Sequence, residues 1–292
     1  MKKPLLTSVG PLVFQVLCAG ALAFTAQAAV LVNDNFTLST GSGVGTVNNT
    51  EASGVGTYST IQGTNGMSVV SGGSLSPAFG SGNALSLANN TNTYYRAFNG
   101  GSAFTLNSLS VNETLKMSFA IRFDGSFAGA DNFSFGFVNF ASPDSILYAN
   151  VDLSASGGLS SEFRYRDGSF NMSDAGGSAI VGSTWTQPST TTTTSYSFDL
   201  SVTKLSTGFL LEYSRDGSLL GNSTVLNSST WATTMAGTSI SGIAIRHSNT
   251  PNVVTYLDNV YVATVPEPGT VAMLALGLGV VLFRRRSCYR GC

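Results

Sequence analysis

His247 is the one histidine of the chain, and it falls two residues after Ile245 on an alternating apolar stretch. An imidazole could serve as general base beside a serine, but serines are so abundant here that the pairing carries no information. A histidine closing an apolar strand face reads as a packed or rim residue. Paired carboxylates would support glycoside hydrolysis. The glutamates between residues 29 and 265 are Glu51, Glu113, Glu162 and Glu212, and they lack the Glu-x-Asp-x-x-Glu clustering that would set them on one strand face. Glu162 and Glu212 are expected at solvated, outward positions. Asp34, Asp131-Asn132, Asp152 and Asp258-Asn259 offer hard oxygen ligands for calcium. Asp34 and Asp258 lead those candidates, yet no repeat spacing organises them, and Asp and Asn equally serve turns and caps. Trp185, Trp231, Tyr94 and Tyr95 could stack on sugar rings, with Asn side chains bonding hydroxyls; such aromatics also fill β-sheet cores. No catalytic residue is assigned, and no cofactor or metal beyond these calcium candidates.

The elements that would position these groups are strands. Leu115, Met117, Phe119, Ile121 and Phe123 alternate along one face and stop at Asp124-Gly125; Phe133, Phe135 and Phe137 repeat the pattern. Ile146 to Leu153 reads as a strand, as does the Phe163 and Tyr165 segment ending at Asp167-Gly168. Tyr196, Phe198, Leu200 and Val202 alternate, and Phe209, Leu211 and Tyr213 return after Ser206-Thr207-Gly208 to stop at Asp216-Gly217. Ile243 and Ile245 mark a late strand, Tyr256 to Val262 the last. Asp-Gly pairs favour tight antiparallel turns. The Gly/Ser/Thr/Asn-rich stretch from Ser39 to Gly82 reads as short strands and loops or as a flexible lead, and its interspersed valines favour strands. Thr190 to Thr194 is a β-prone connector. No helix of more than a turn or two is expected between Ala29 and Val265. The fold class is all-β, an antiparallel sandwich.

The two ends are different in kind. Lys2 and Lys3, an apolar run from about Pro11 to Phe24, and Ala26-Gln27-Ala28 follow the order of a secretory signal peptide cut after Ala28. At the other end Val265-Pro266-Glu267-Pro268 precedes an apolar run from Val271 to Phe283 and then Arg284-Arg285-Arg286. Prolines on both sides of Glu267 stop regular structure, and lipid favours a helix over the apolar run. Arginines after it hold that end in the cytoplasm. The thirteen apolar residues cover about 20 Å against a hydrocarbon core of roughly 30 Å, a marginal span that suits a segment inserted and then cut away.

This tripartite tail resembles the PEP-CTERM sorting signal. The resemblance covers about residues 265 to 292 and implies recognition by an exosortase, an integral-membrane enzyme that processes its substrates at the envelope. The extra tail Ser287 to Cys292 departs from the pattern. Three regions follow: a signal peptide over 1–28, an extracellular β-sandwich over 29–263, and a sorting signal over 264–292 with a transmembrane helix at 270–283. The middle region resembles the concanavalin A-like jelly rolls, laminin-G-like domains included, on the strand–turn–strand run from Tyr196 to Val225 and the Leu257-Asp258-Asn259-Val260 segment. That fold would lay Asp34-Asn35-Phe36 beside the Asp258 strand.

Residues 29–265 hold eight Lys and Arg against fourteen Asp and Glu, near −6, which argues against nucleic acid or an anionic membrane surface as partner. Cys18, Cys288 and Cys292 all lie in the two end segments, so the middle depends on its core rather than on disulfides. The expectation is an exported, non-enzymatic protein of the cell envelope, outer surface or matrix. It would be transiently anchored in the inner membrane with its C-terminus cytoplasmic. Its partners would be the export machinery, exosortase and an exopolysaccharide. The competing reading is a secreted carbohydrate-active enzyme on the same fold.

Overall fold

The computed structural model describes residues 28–36, 42–43, 46–49, 56–62, 67–80, 82–87, 92–127, 131–154, 160–173, 176–248 and 253–266. Ala26, Glu267, Pro268, Arg284–Arg286 and the expected helix at 270–283 lie outside them. Among the described residues no helix is long and apolar enough to cross a membrane.

Ala29–Val265 forms one compact unit. The chain enters through β1 (Ala29–Asp34), then β2 (Ser42–Gly43), β3 (Thr46–Asn49), β4 (Gly56–Gln62) and β5 (Met67–Ser71). The polar Ser39–Gly82 stretch therefore supplies strands. Next come β6 (Asn83–Leu87), β7 (Asn92–Ala97), β8 (Phe104–Thr105), β9 (Glu113–Gly125), β10 (Asn132–Asn139), β11 (Asp144–Asp152) and β12 (Ser160–Arg166). After β13 (Ser178–Ala179) and β14 (Trp185–Thr186), the long meander β15 (Ser195–Lys204), β16 (Gly208–Arg215) and β17 (Ser218–Leu226) follows. A short helix α1 (Thr230–Met235) precedes β18 (Ser239–Ile240), β19 (Gly242–Ser248) and β20 (Val253–Pro266).

Among the described residues two large antiparallel sheets result, with β8 and β18 as a separate two-stranded pair. The first has the order β17-β16-β15-β9-β20-β6-β5-β2, with β1 also on β20; the second has β13-β12-β11-β10-β19-β7-β4-β3, with β14 on β12. The alternation read in the sequence is what lets them face each other. Leu115, Met117, Phe119, Ile121 and Phe123 of β9 are all buried, as are Phe133, Phe135 and Phe137 of β10. The Phe119 ring meets Phe135 edge-on at 4.8 Å across the sandwich, and Phe135 stacks on Phe198 at 5.7 Å. Aromatic burial of this extent supplies stabilisation that disulfides supply elsewhere.

The Asp-Gly pairs divide by role. Asp216 (φ 53°) and Gly217 (φ 75°) both occupy the left-handed region and close the β16–β17 hairpin as a type I′ turn. Asp124-Gly125 and Asp167-Gly168 instead end strands and lead into longer connections. The last strand is longer than Tyr256 to Val262, running from Val253 to Pro266. Its two halves find different partners, β6 opposite Thr255–Leu257 and β1 opposite Val260–Thr264. It ends at a proline, which has no amide hydrogen to continue a ladder. The first and last strands lie side by side, Asp34 of β1 pairing with Val260 of the strand that carries Asp258. Asn35 and Phe36 fall past the ladder, Phe36 with φ 57° in the left-handed region.

Candidate functional site

Strand β10 is buried on both faces and β11 on both nearly to its end. Their inward residues pack in the core, so the outward ones form a second, polar layer. The register fixes which residues meet there. One row crosses five strands: Glu162 of β12 opposite Asn150 of β11, then Ser134 of β10, Arg246 of β19 and Thr93 of β7. The row beside it runs Arg164, Tyr148, Gly136, Ala244 and Tyr95.

The polar row is a hydrogen-bonded lattice. Ser134 Oγ donates to Asn150 Oδ1 at 2.7 Å, and Arg246 Nη1 donates to Asn132 Oδ1 at 3.1 Å. Arg164 pairs with Glu162, two residues apart on one strand face. Ser134, Asn150 and Arg246 are buried, and a buried polar group is retained at a cost unless it is bonded.

The second row carries a depression, because Gly136 and Ala244 are small between Tyr148 and Tyr95. The segment after β12 folds back over it. Met172 is fully buried against Val138, Tyr148 and Ala244, with Tyr95, Phe140 and Phe170 packed around it. Tyr148 donates its phenolic hydrogen to Ser173 O at 3.0 Å. Arg166 Nη1 donates to Asn171 O at 2.9 Å, and Arg164 Nη1 donates to Gly177 O. A Cβ on Gly177 would strike the Tyr148 hydroxyl and one on Gly176 the Arg166 guanidinium, so glycine is what allows this flap to lie flat. Burial pushes the Tyr148 phenol up to about 12, against the opposing pull of Arg164, Arg166 and Arg246.

The residues singled out in the sequence go to several places. His247 is fully buried on the inward face of β19, 3.3 Å from Thr255 Oγ1. Burial, aided by the neighbouring Arg246 charge, pushes its pKa down to about 4. Glu162 is not a solvated residue: it keeps 17 % exposure and is ion-paired. Glu212 lies half-buried on the outward side of β16. Of the four aromatics, Trp231 and Tyr94 are core residues, Trp231 donating to Ile146 O at 2.8 Å. Trp185 is half-buried against Phe163 and Tyr213. Tyr95 alone of the four joins the outward layer, its ring 3.9 Å from Phe140.

The calcium candidates are spread over both sheets, Asn132 opposite Asp152 across β10 and β11, and Asp34 and Asp258 on β1 and β20. Asp34 is committed to Arg96 in a fully buried ion pair at 3.1 Å. The Asp258 carboxylate accepts from the Asn259 backbone at 2.7 Å and lies against Gly80. Among the described residues no three His, Cys, Asp or Glu side chains come together as a metal site. Arg164, Arg166, Arg246, Tyr148, Asn150 and Ser134 were missed in the sequence. The signal that could have found them is the polar set alternating with the apolar one along the same strands.

Residues 264–286 match the model of the PEP-CTERM protein-sorting motif. The match spans Val265 to Pro268 and the Arg284–Arg286 cluster, and it implies an exported protein sorted by exosortase. A search of curated proteins finds no significant match. Among solved structures, the alginate lyase Aly36B is similar at 13 % identity with a TM-score of 0.40, covering 63 % of this chain and 81 % of that one. The carbohydrate recognition domain of Emp46p in its metal-free form gives 13 % and 0.40 over 62 % and 81 %. The carbohydrate binding module CBM66 from Bacillus subtilis gives 10 % and 0.38 over 70 % and 92 %.

Proposed function

We propose that the chain is a non-enzymatic protein of the cell envelope or extracellular matrix that contacts exopolysaccharide through the outer face of its second sheet. Exosortase processing would retain or release it, after a transient stay in the inner membrane with the C-terminus cytoplasmic. The observation that carries the binding part is the half-exposed set of Glu162, Arg164, Arg166, Tyr95 and Phe140 on that face, held in place by the buried row Asn150–Ser134–Arg246–Thr93 beneath it. Carbohydrate sites combine such convergent polar groups with aromatic surface. The non-enzymatic part is supported by the fate of the titratable groups. Hydrolysis of a glycosidic bond needs two carboxylates roughly 5–10 Å apart with distinct proton affinities, whereas Glu162 is tied to Arg164 and His247 is enclosed in the core.

A glycan array probed with the full chain in nonionic detergent, with and without calcium, tests the binding. Signal on polysaccharide fragments is expected; a uniformly blank array overturns the reading, and shortening of bound glycans overturns its non-enzymatic part. For sorting, replacing Pro266-Glu267-Pro268 by alanines is expected to leave the full-length chain uncut in the membrane. An unchanged C-terminus after that replacement would refute exosortase processing at this motif.

A further inference from the structure

Resting on the exosortase processing proposed above, we infer that the first two residues of β1, Ala29 and Val30, form a clamp that gates this processing, because they hold the start of the sorting motif inside the folded sheet. The match to the sorting motif begins at residue 264, whereas β20 runs on to Pro266, so motif and strand share residues 264–266. Strand β20 is no edge strand: it lies between β9 and β6 in the sheet order, and β1 pairs with its second half. Val262 and Ala263 are fully buried and Thr264 nearly so. Ala29 stands opposite Thr264, and Val30 opposite Ala263. An enzyme that cuts a peptide takes it as an unpaired, extended stretch, with residues bound on both sides of the reacting bond. The residues before Pro266 meet that need only when the clamp is open.

The clamp opens without the rest of the domain. The β1–β20 register shifts between Val30 and Val32, so Leu31 is a bulged residue that separates Ala29 and Val30 from those that follow. On the inner side of the bulge Leu31 and Val32 are buried, and Asp34 is committed to Arg96. On the outer side Ala29 is exposed and Val30 keeps 43 % of its surface. Releasing Val32 would open the core, whereas releasing Ala29 and Val30 forfeits little apolar burial. With the signal segment removed after Ala28, these two residues are a free chain end, and such ends fray at the lowest cost in a fold. Fraying up to the bulge frees Ala263 and Thr264 from β1 and leaves the sandwich intact. Val265, already 39 % exposed, then continues an unpaired stretch into the motif.

The test is a pulse-chase of the full chain in cells that carry exosortase, following loss of the C-terminal segment on a gel. Val30→Cys with Ala263→Cys sets two thiols at partner positions of the ladder, where a disulfide fits and an exported domain meets oxidising conditions. Cutting tracks the population of the open form, so the cross-linked chain should be processed about tenfold more slowly, with dithiothreitol restoring the rate. Each single-cysteine variant should be processed like the original. Val30→Gly, which thins the clamp outside the core, should speed processing about threefold. A flexible Gly-Ser-Gly-Ser insert between Val265 and Pro266 moves the motif clear of the ladder and should return the cross-linked chain to the original rate. If the double-cysteine chain does not fold, Val30→Gly and the insert in the original chain decide, both being expected to speed processing. A cross-linked chain cut at the original rate, or an insert without effect, would overturn the inference while exosortase processing stands. An original chain that is never shortened would remove the processing reading itself.

Discussion

Ala29 lies opposite Thr264 in the antiparallel ladder between β1 and β20. The first residue after the expected signal cut is therefore a neighbour of the residue just before Val265, where the sorting motif begins. Both ends of the compact unit leave it at one place. Val32, fully buried and paired with Val262, ties the N-terminal strand into the core a few residues later. The mature chain should accordingly begin at Ala29, as mass spectrometry of its N-terminal peptide can establish. A start beyond Val32 would remove most of β1 and contradict both the cleavage site and the ladder.

The Asp34–Arg96 pair is fully buried, and Arg96 also donates to Asn99 Oδ1 at 2.7 Å. Removing one partner of such a pair leaves an uncompensated charge, at a cost of about 3–5 kcal/mol, whereas removing both can be nearly neutral. Arg96→Met should therefore destabilise strongly, and adding Asp34→Leu should recover much of the loss. Chemical unfolding of the two single variants and the double variant measures this. Additive losses would mean that the pair does not act as a unit.

These contrasts show what was legible in the residue order. Inward faces were readable because the period of two is local: Phe133, Phe135 and Phe137 need no partner to declare a buried side. The outward site was not, because Glu162, Asn150, Ser134, Arg246 and Thr93 meet only through the order β12-β11-β10-β19-β7. That order brings β19 between β10 and β7, and nothing in a single strand announces its neighbours. Trp231 takes the core place, and its partner is not readable from the sequence for a similar reason. Its short helix, capped by the Ser229 side chain accepting from the Ala232 amide, turns the indole onto a carbonyl of a distant strand.

His247 makes stability depend on pH in a stated direction. Its folded pKa of about 4 lies below the ordinary 6.5, so the unfolded chain takes up the proton more readily. The contribution is complete above about pH 6.5, falls as the pH drops through the window to about 4, and changes no further below it. Over that window the loss is about 3 kcal/mol. His247→Asn should be less stable at neutral pH, because it disturbs a closed site beside Thr255, yet it should lack this part of the slope. Unfolding free energies at about pH 7 and about pH 4.5 for both chains separate the histidine from the carboxylates. Identical slopes would mean that the imidazole is not enclosed.

The flap over the outer face gives a last prediction, because its seat depends on an absent side chain. Gly177 lies against the Tyr148 hydroxyl so closely that a Cβ would strike it, and the Tyr165 backbone oxygen limits retreat on another side, at 3.1 Å. Gly177→Ala should therefore lift the flap locally, weaken the Tyr148–Ser173 hydrogen bond and loosen Met172. Partial loss of the Met172 burial would cost about 1–3 kcal/mol. The sharper readout is the phenol itself. With water readmitted while Arg164, Arg166 and Arg246 remain near, the Tyr148 pKa should fall from about 12 toward or below 10. Ultraviolet titration of the variant against the original chain, with Tyr148→Phe to assign the transition, follows that shift. A phenol still titrating near 12 after the substitution would show that the flap does not govern access to the arginine cluster.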